Sequence, residues 1–270
     1  MNRKYIYPLV IILVTVGLYY AEDFINLDDS ILSEKSSTTR VYSEEFDNTL
    51  LPISTTGVII THDSYSLSYS EEHEQAEWVA YELKKSDLSN NVFERPYFNE
   101  DKSIETKSAD WRNYKNSGYD RGHLCPAGDR KYSIEAYNET FFTSNISPQD
   151  REFNAGIWNR LEQKTRFWAE KYDGVYVVTG GVLKGDMKTI GYENVSVPNY
   201  FYKIIVDVID GNHKAIAFLI PNKPSSNSFY EYVVSIDEIE AKTGIDFFHN
   251  LPDSIENKME RTINLKSWGK

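Results

Sequence analysis

The residues best equipped for chemistry fall in one stretch of the chain. Tyr119-Asp120-Arg121-Gly122-His123 comes first, followed by Asn145, Asn154, Glu162 and Arg166. A single histidine or an Arg-Gly-His triplet carries little weight alone. The combination carries more. A histidine on an extended segment, set against an asparagine, a glutamate and an arginine on a helix, has the makings of a phosphodiester site. Gly122 beside His123 allows a close backbone approach to a ligand. Pro126 and Gly128 follow, so the histidine lies on a strand or loop about to turn.

Elements must hold these side chains in place. The spacing predicts a helix from Asn154 to Lys171, with Trp158, Leu161, Phe167 and Trp168 available to pack. Glu162 and Arg166 are four apart and share a face of it. Asn154 and Trp158 precede them on a slowly drifting stripe. This puts Asn154 at the helix entrance, where backbone N–H groups attract anions. Upstream, Val58–Thr61 and Tyr65–Tyr69 read as a hairpin with His62-Asp63-Ser64 as its turn. Glu71–Lys85 reads as a helix opened by Ser70 as N-cap. Downstream, Val175–Val178, Tyr200–Val208 and Ala215–Ile220 are strand-like runs. A helix opens at Ser235 with a capping-box spacing and ends at Gly244. Strands alternating with helices of this length indicate a mixed α/β domain.

With 270 residues, 40% of them hydrophobic, the chain can bury a sizeable core. The formal charge of -12 argues against tight, purely electrostatic binding of a polyanion. Half of that excess sits between Glu22 and Asp47, however, and Tyr119–Lys171 is neutral, with eight charges of each sign. Cys125 is the single cysteine, so no intrachain disulfide can form. At the N-terminus, Asn2-Arg3-Lys4 precedes an uncharged, mostly apolar run from Tyr5 to Ala21. That pattern is an export signal or an uncleaved membrane anchor. It predicts a protein whose folded part lies outside the cytoplasm, membrane-anchored or periplasmic/extracellular. Three regions follow: 1–21 as signal or anchor, 22–56 as an acidic flexible spacer, and 57–270 as the folded domain.

Asp120-Arg121-Gly122-His123-Leu124-Cys125-Pro126 resembles the signature of the DNA/RNA non-specific endonucleases. These are the ββα-metal, or His-Me finger, group that includes secreted bacterial nucleases and mitochondrial endonuclease G. The likeness continues through Ser144-Asn145-Ile146-Ser147-Pro148-Gln149, Phe153-Asn154-Ala155-Gly156-Ile157-Trp158 and Leu161-Glu162. Upstream, Trp78-Val79-Ala80-Tyr81 and Phe93-Glu94-Arg95-Pro96 fit. So do Val177–Gly181, Pro198–Lys203 and Asp237–Glu240 with Thr243-Gly244 downstream. The resemblance covers about Gly57 to near Glu260, in order.

What it implies is an α+β fold: a central antiparallel sheet flanked by helices, with a ββα-metal motif at the active site. The implied activity is metal-dependent, sequence-nonspecific hydrolysis of DNA and RNA phosphodiester bonds to 5′-phosphates. In that scheme His123 is the general base, and Asn154 is the direct protein ligand of Mg2+, with Mn2+ as a substitute. Glu162 holds metal-bound water, and Arg95, Arg121 and Arg166 bind phosphates, Arg121 counting with His123 and Glu162 in the catalytic set. Asp120 orients its neighbours, and Asn145 supports the site. The implied partners are DNA and RNA, and the membrane through the N-terminal segment. A homodimer and an inhibitor or immunity protein are left open.

Other side chains read more plainly. Trp158 belongs to the core, Cys125 is a small buried side chain, and His62 and His73 have no ligand spacing. Gly180–Gly185 lacks the placement of a phosphate loop. The competing reading is a catalytically silent nuclease-like module that binds nucleic acid or a partner protein at the membrane surface. Against it stands the joint presence of His123, Asn154, Glu162 and the arginines.

Overall fold

The computed structural model describes residues 48–209 and 211–269. The N-terminal run 1–21 and the acidic stretch through residue 47 lie outside them. Among the described residues no helix is long and apolar enough to cross a membrane.

The strands are β1 (Ile59–Thr61), β2 (Ser66–Ser70), β3 (Gln75–Lys84), β4 (Asp120–His123), β5 (Ile146–Gln149) and β6 (Gly174–Gly181). After them come β7 (Lys188–Ile190), β8 (Val195–Val197), β9 (Tyr200–Ile209), β10 (Asn212–Pro221) and β11 (Val233–Val234). Seven of them form one sheet in the order β1-β2-β3-β6-β9-β10-β11. Every neighbouring pair in it is antiparallel. The helices are α1 (Ile134–Glu139), α2 (Arg151–Phe153), α3 (Asn159–Lys171), α4 (Ile236–Thr243) and α5 (Asp253–Arg261). A π-helical stretch, Asn154–Trp158, joins α2 to α3 in one unbroken helical run.

Both faces of the sheet are covered, and the strand sequences show why. On β3, Val79, Tyr81 and Leu83 enter one core with Phe153, Ile157, Trp158, Leu161 and Trp168 of the long helical run. The alternate residues Trp78 and Ala80 enter a second core with Ile236 and Ile239 of α4 and Met259 of α5. A strand apolar on both faces loses the simple in-out alternation of a half-exposed one.

That loss overturns the helix expected over Glu71–Lys85. Trp78-Val79-Ala80-Tyr81 is an uninterrupted apolar run, which periodicity alone cannot assign to helix or strand. Ser70 is no N-cap. It ends β2 and pairs with Gln75, and the connection turns through Glu74 at φ 54. The other elements form close to where the sequence puts them. The β1–β2 hairpin closes with His62 N donating to Tyr65 O at 2.9 Å. Ser235 caps α4 by accepting from Glu238 N, and Gly244 stops it at φ 73.

The packed chain also begins upstream of Gly57. Leu50 is buried in the second core. The Trp78 indole donates to Ile53 O at 2.9 Å, and Ile53 N donates to Asp246 O at 2.9 Å. Thr55 N and the Ser68 hydroxyl both donate to Glu77 Oε1 on β3.

Candidate active site

β4 and β5 form a two-stranded antiparallel ribbon, with Asp120 opposite Gln149 and His123 opposite Ile146. The helical run starts two residues after β5, so strand, strand and helix follow one another as a ββα unit. Asp150 caps that helix by accepting from Glu152 N at 2.9 Å and Phe153 N at 3.0 Å. The entrance is therefore at Arg151, upstream of the position expected. Asn154 lies beyond it, with its own N–H already bonded to Asp150 O at 2.8 Å. It is a side-chain donor set, not a free helix terminus, that Asn154 brings to the site.

Three sets of side chains build the candidate site. The first surrounds His123. Its ring packs edge-on to Phe141 at 5.0 Å between centroids and tilted to Phe98 at 5.6 Å. The Arg95 guanidinium lies 5.5 Å from both of those rings, and Arg121 lies 4.7 Å from Phe98. His123 Nε2 is buried with no hydrogen-bond partner. Burial, and then the positive charge of Arg95, push the imidazole pKa from 6.5 down to about 3. At neutral pH the ring is uncharged, with a nitrogen lone pair able to accept a proton.

The second set is a single bond across the motif. Asn154 Nδ2 donates to Asp120 Oδ2 at 3.1 Å. Since the amide nitrogen is engaged, the group's free acceptor is the carbonyl oxygen Oδ1. A neutral oxygen donor of this kind suits a hard divalent cation. Asp120 and His123 are the two ends of β4, so one short strand fixes both the amide and the imidazole.

The third set lies along α3. Glu162 is half-buried, and burial lifts its pKa from 4.5 to about 7, with Asp129 adding to the rise; Lys203 and Arg166 act against it. Arg166 Nη1 holds Asp129 Oδ1 at 2.6 Å, and the Tyr81 hydroxyl donates to the other oxygen of Asp129 at 2.9 Å. Gly128 leaves room for this arginine: a Cβ there would lie 3.1 Å from Arg166 Nη1.

Two further features keep β4 in place. Asn145 is fully buried and accepts from Cys125 N at 2.8 Å, while its Nδ2 donates to Cys125 O at 3.0 Å and Thr140 O at 2.9 Å. These bonds pin the chain just after His123. Gly122 faces the buried side chain of Gln149, into which any Cβ would collide. Cys125 is a buried free thiol, and Trp158 is core, as their surroundings in the sequence suggest. Phe167, expected to pack, is 48% exposed instead.

Lys203 and Asp129 belong to the site and are missed by the sequence reading. Lys203 is 0% exposed on β9, its Nζ 4.9 Å from the Trp158 ring and without a hydrogen-bond partner. Burial lowers its pKa, while the charges of Glu162 and Asp129 favour its protonation. The signal in the sequence is a lone lysine inside an apolar strand, Tyr200-Phe201-Tyr202-Lys203-Ile204-Ile205.

A family model described as DNA/RNA non-specific endonuclease matches residues 43–254. The mitochondrial nuclease EXOG of Danio rerio is 37% identical over 204 residues, 69% of this chain and 60% of its own length. A nuclease of Nostoc sp. is 33% identical over 223 residues, 76% of this chain and 78% of its own. The chain spans about 60% of the first of these and 57% of the Xenopus laevis EXOG. Among solved structures, the EndoG/EndoGI complex matches with a TM-score of 0.69 and 29% identity over 74% of this chain and 90% of that one. With a ββα unit carrying His123 and Asn154 inside the matched region, the chain belongs to the DNA/RNA non-specific endonuclease family.

Proposed function

We propose that this chain is a metal-dependent, sequence-nonspecific endonuclease that hydrolyses phosphodiester bonds of DNA and RNA to 5′-phosphates. The observation that carries the reading is the Asp120–Asn154 bond: it engages the amide nitrogen and leaves the amide oxygen as the free acceptor, while the same strand ends in a neutral, half-buried imidazole whose Nε2 has no hydrogen-bond partner. His123 takes a proton from the attacking water. Oxygen from that water bonds to phosphorus as the P–O3′ bond breaks. Arg95 and Arg121, held against Phe98, and Arg166, held by Asp129, grip the scissile and neighbouring phosphates. Asn154, with Glu162 through water, would hold Mg2+, which when bound supplies positive charge to the phosphorane and the leaving oxygen. Contacts confined to phosphate carry no base information and explain indifference to sequence. Tolerance of both sugars follows if the 2′-position is left alone.

A protein inhibitor is part of the proposal, since the solved EndoG structure is a complex with EndoGI. Export or anchoring through residues 1–21 rests on the sequence pattern alone.

The test is the purified chain with supercoiled plasmid and with RNA, in Mg2+ and in EDTA, beside His123→Ala. Metal-dependent loss of both substrates by the wild type, and none by a folded variant, is the expected result. A folded wild type that cuts neither substrate with any divalent metal overturns the reading in favour of a binding module.

A further inference from the structure

On the far side of the sheet from the long helical run, α4 and α5 pack together and bring five carboxylates into two overlapping trios. Oxygens of Asp237, Glu240 and Glu260 lie within 4.8 Å of one another, and so do those of Asp246, Glu256 and Glu260. Glu260 is common to both trios. It is 7% exposed, and its Oε1 is buried with no hydrogen-bond partner. A carboxylate left this way is costly, because its charge has lost water and gained only like charges.

The neighbours do little to relieve it. Arg261 reaches Asp237 at 3.6 Å, but both groups are well exposed and screened by solvent. Glu240 Oε1 accepts from Phe247 N at 3.0 Å, which answers Glu240 and not Glu260. His249 acts on Glu256. Burial, reinforced by Glu240, Glu256, Asp237 and Asp246, pushes the Glu260 pKa up to about 8. Burial also raises Glu240 and Glu256, each with other carboxylates adding to it. The buried, unpartnered Oε1 of Glu260 thus sits where the two trios meet, open to a positively charged ligand.

We propose that this cluster is a divalent-cation site selective for Ca2+, with Glu260 as the ligand common to two overlapping trios, Asp237 and Glu240 completing one and Asp246 and Glu256 the other. The donor set is all oxygen and all acidic. Calcium accepts about six to eight such oxygens in loose geometry, whereas magnesium demands a near-ideal octahedron and sheds water reluctantly. Side chains from two helices and the loop between them form such a flexible cage. A bound ion ties α4 to α5, and Ile236, Ile239 and Met259 of those helices line the core behind them. The site is distinct from the one that holds Asn154. Two of its ligands, Glu256 and Glu260, lie past residue 254, where the family match ends.

The test uses the full chain in a fixed excess of MgCl2, so that CaCl2 is read against magnesium. Calorimetric titration with CaCl2 is run on the wild type, Glu260→Gln, and the double variant Asp237→Asn/Glu256→Gln. The wild type is expected to bind calcium and to melt at a higher temperature with it. Glu260→Gln is expected to lose the binding, to melt higher than wild type in EDTA because a carboxyl crowded by four others is replaced by a neutral amide, and to keep its Mg2+-dependent plasmid cleavage. The double variant changes only more accessible ligands and is expected to bind on the order of ten-fold more weakly, or worse. It decides the matter should Glu260→Gln fail to fold. Absence of calcium binding by the wild type above the magnesium background overturns the proposal, and so does wild-type calcium affinity in both variants.

Discussion

Replacing Asp120 by asparagine removes one charge and little volume, yet it should reset the metal dependence of the whole site. In the native chain, the Asp120 carboxylate accepts from the Nδ2 of Asn154 at 3.1 Å and so leaves Oδ1 as the amide's free acceptor. An asparagine at 120 can accept or donate. Either orientation of the Asn154 amide then finds a partner, and in one of them an NH2 would face the proposed cation position. A hydrogen bond from an amide N–H to a charged acceptor is worth about 1.5–3 kcal/mol, which is the preference that disappears. Loss of such an orienting partner typically weakens metal binding by about 10- to 100-fold. At about 1.4 kcal/mol per decade, this is the same range as the lost bond. The assay is the initial rate of plasmid nicking against Mg2+ concentration. Asp120→Asn should raise the half-saturating Mg2+ by about ten-fold or more, recover much of its rate at high Mg2+, and unfold thermally like wild type. A half-saturating concentration within about two-fold of wild type refutes the idea that Asp120 sets which atom Asn154 presents.

Two more predictions follow from neighbouring features. Lys203→Met keeps the bulk of a fully buried side chain but removes a charge that holds down a Glu162 pKa already near 7, so the carboxyl should titrate higher still. Where cleavage needs ionised Glu162, the acid limb of the pH–rate profile moves to higher pH, and an unmoved limb excludes the coupling. A chain starting at Gly57 loses Leu50 from the core, the Ile53 acceptor of Trp78 and the Thr55 donor to Glu77. Denaturant unfolding should find it at least about 3 kcal/mol less stable than a chain starting at Ser43, and equal stability shows that the upstream segment contributes nothing.

Much of the site is legible in the sequence because its parts are local. Glu162 and Arg166 are four apart on one helix and share a face by spacing alone, while Asp120 and His123 stand at the two ends of one four-residue strand, so local sequence places each pair. Asp129 and Lys203 escape because their meaning is tertiary: Tyr81, Arg166 and Glu162 reach them from separate elements. The fold divides the same way. β9, β10 and the α4 caps carry local signals that the structure obeys. β3 does not, because it is buried on both faces, and its neighbours in the sheet, not its own periodicity, make it a strand.

The π-helical stretch at Asn154–Trp158 acts as a phase shifter. There Asn159 N donates to Asn154 O, a bond spanning one residue more than an α-helical turn. In a regular helix of about 3.6 residues per turn, Asn154 and Glu162, eight positions apart, stand about 80° out of line. Absorbing one residue makes the separation equivalent to seven positions, about 20° out of line and two turns along the axis. Amide and carboxylate then look the same way. Winding the same residues as a regular helix, without the bulge, would give a more conventional element and turn the two side chains about 80° apart, so here helical regularity and a shared face pull in opposite directions.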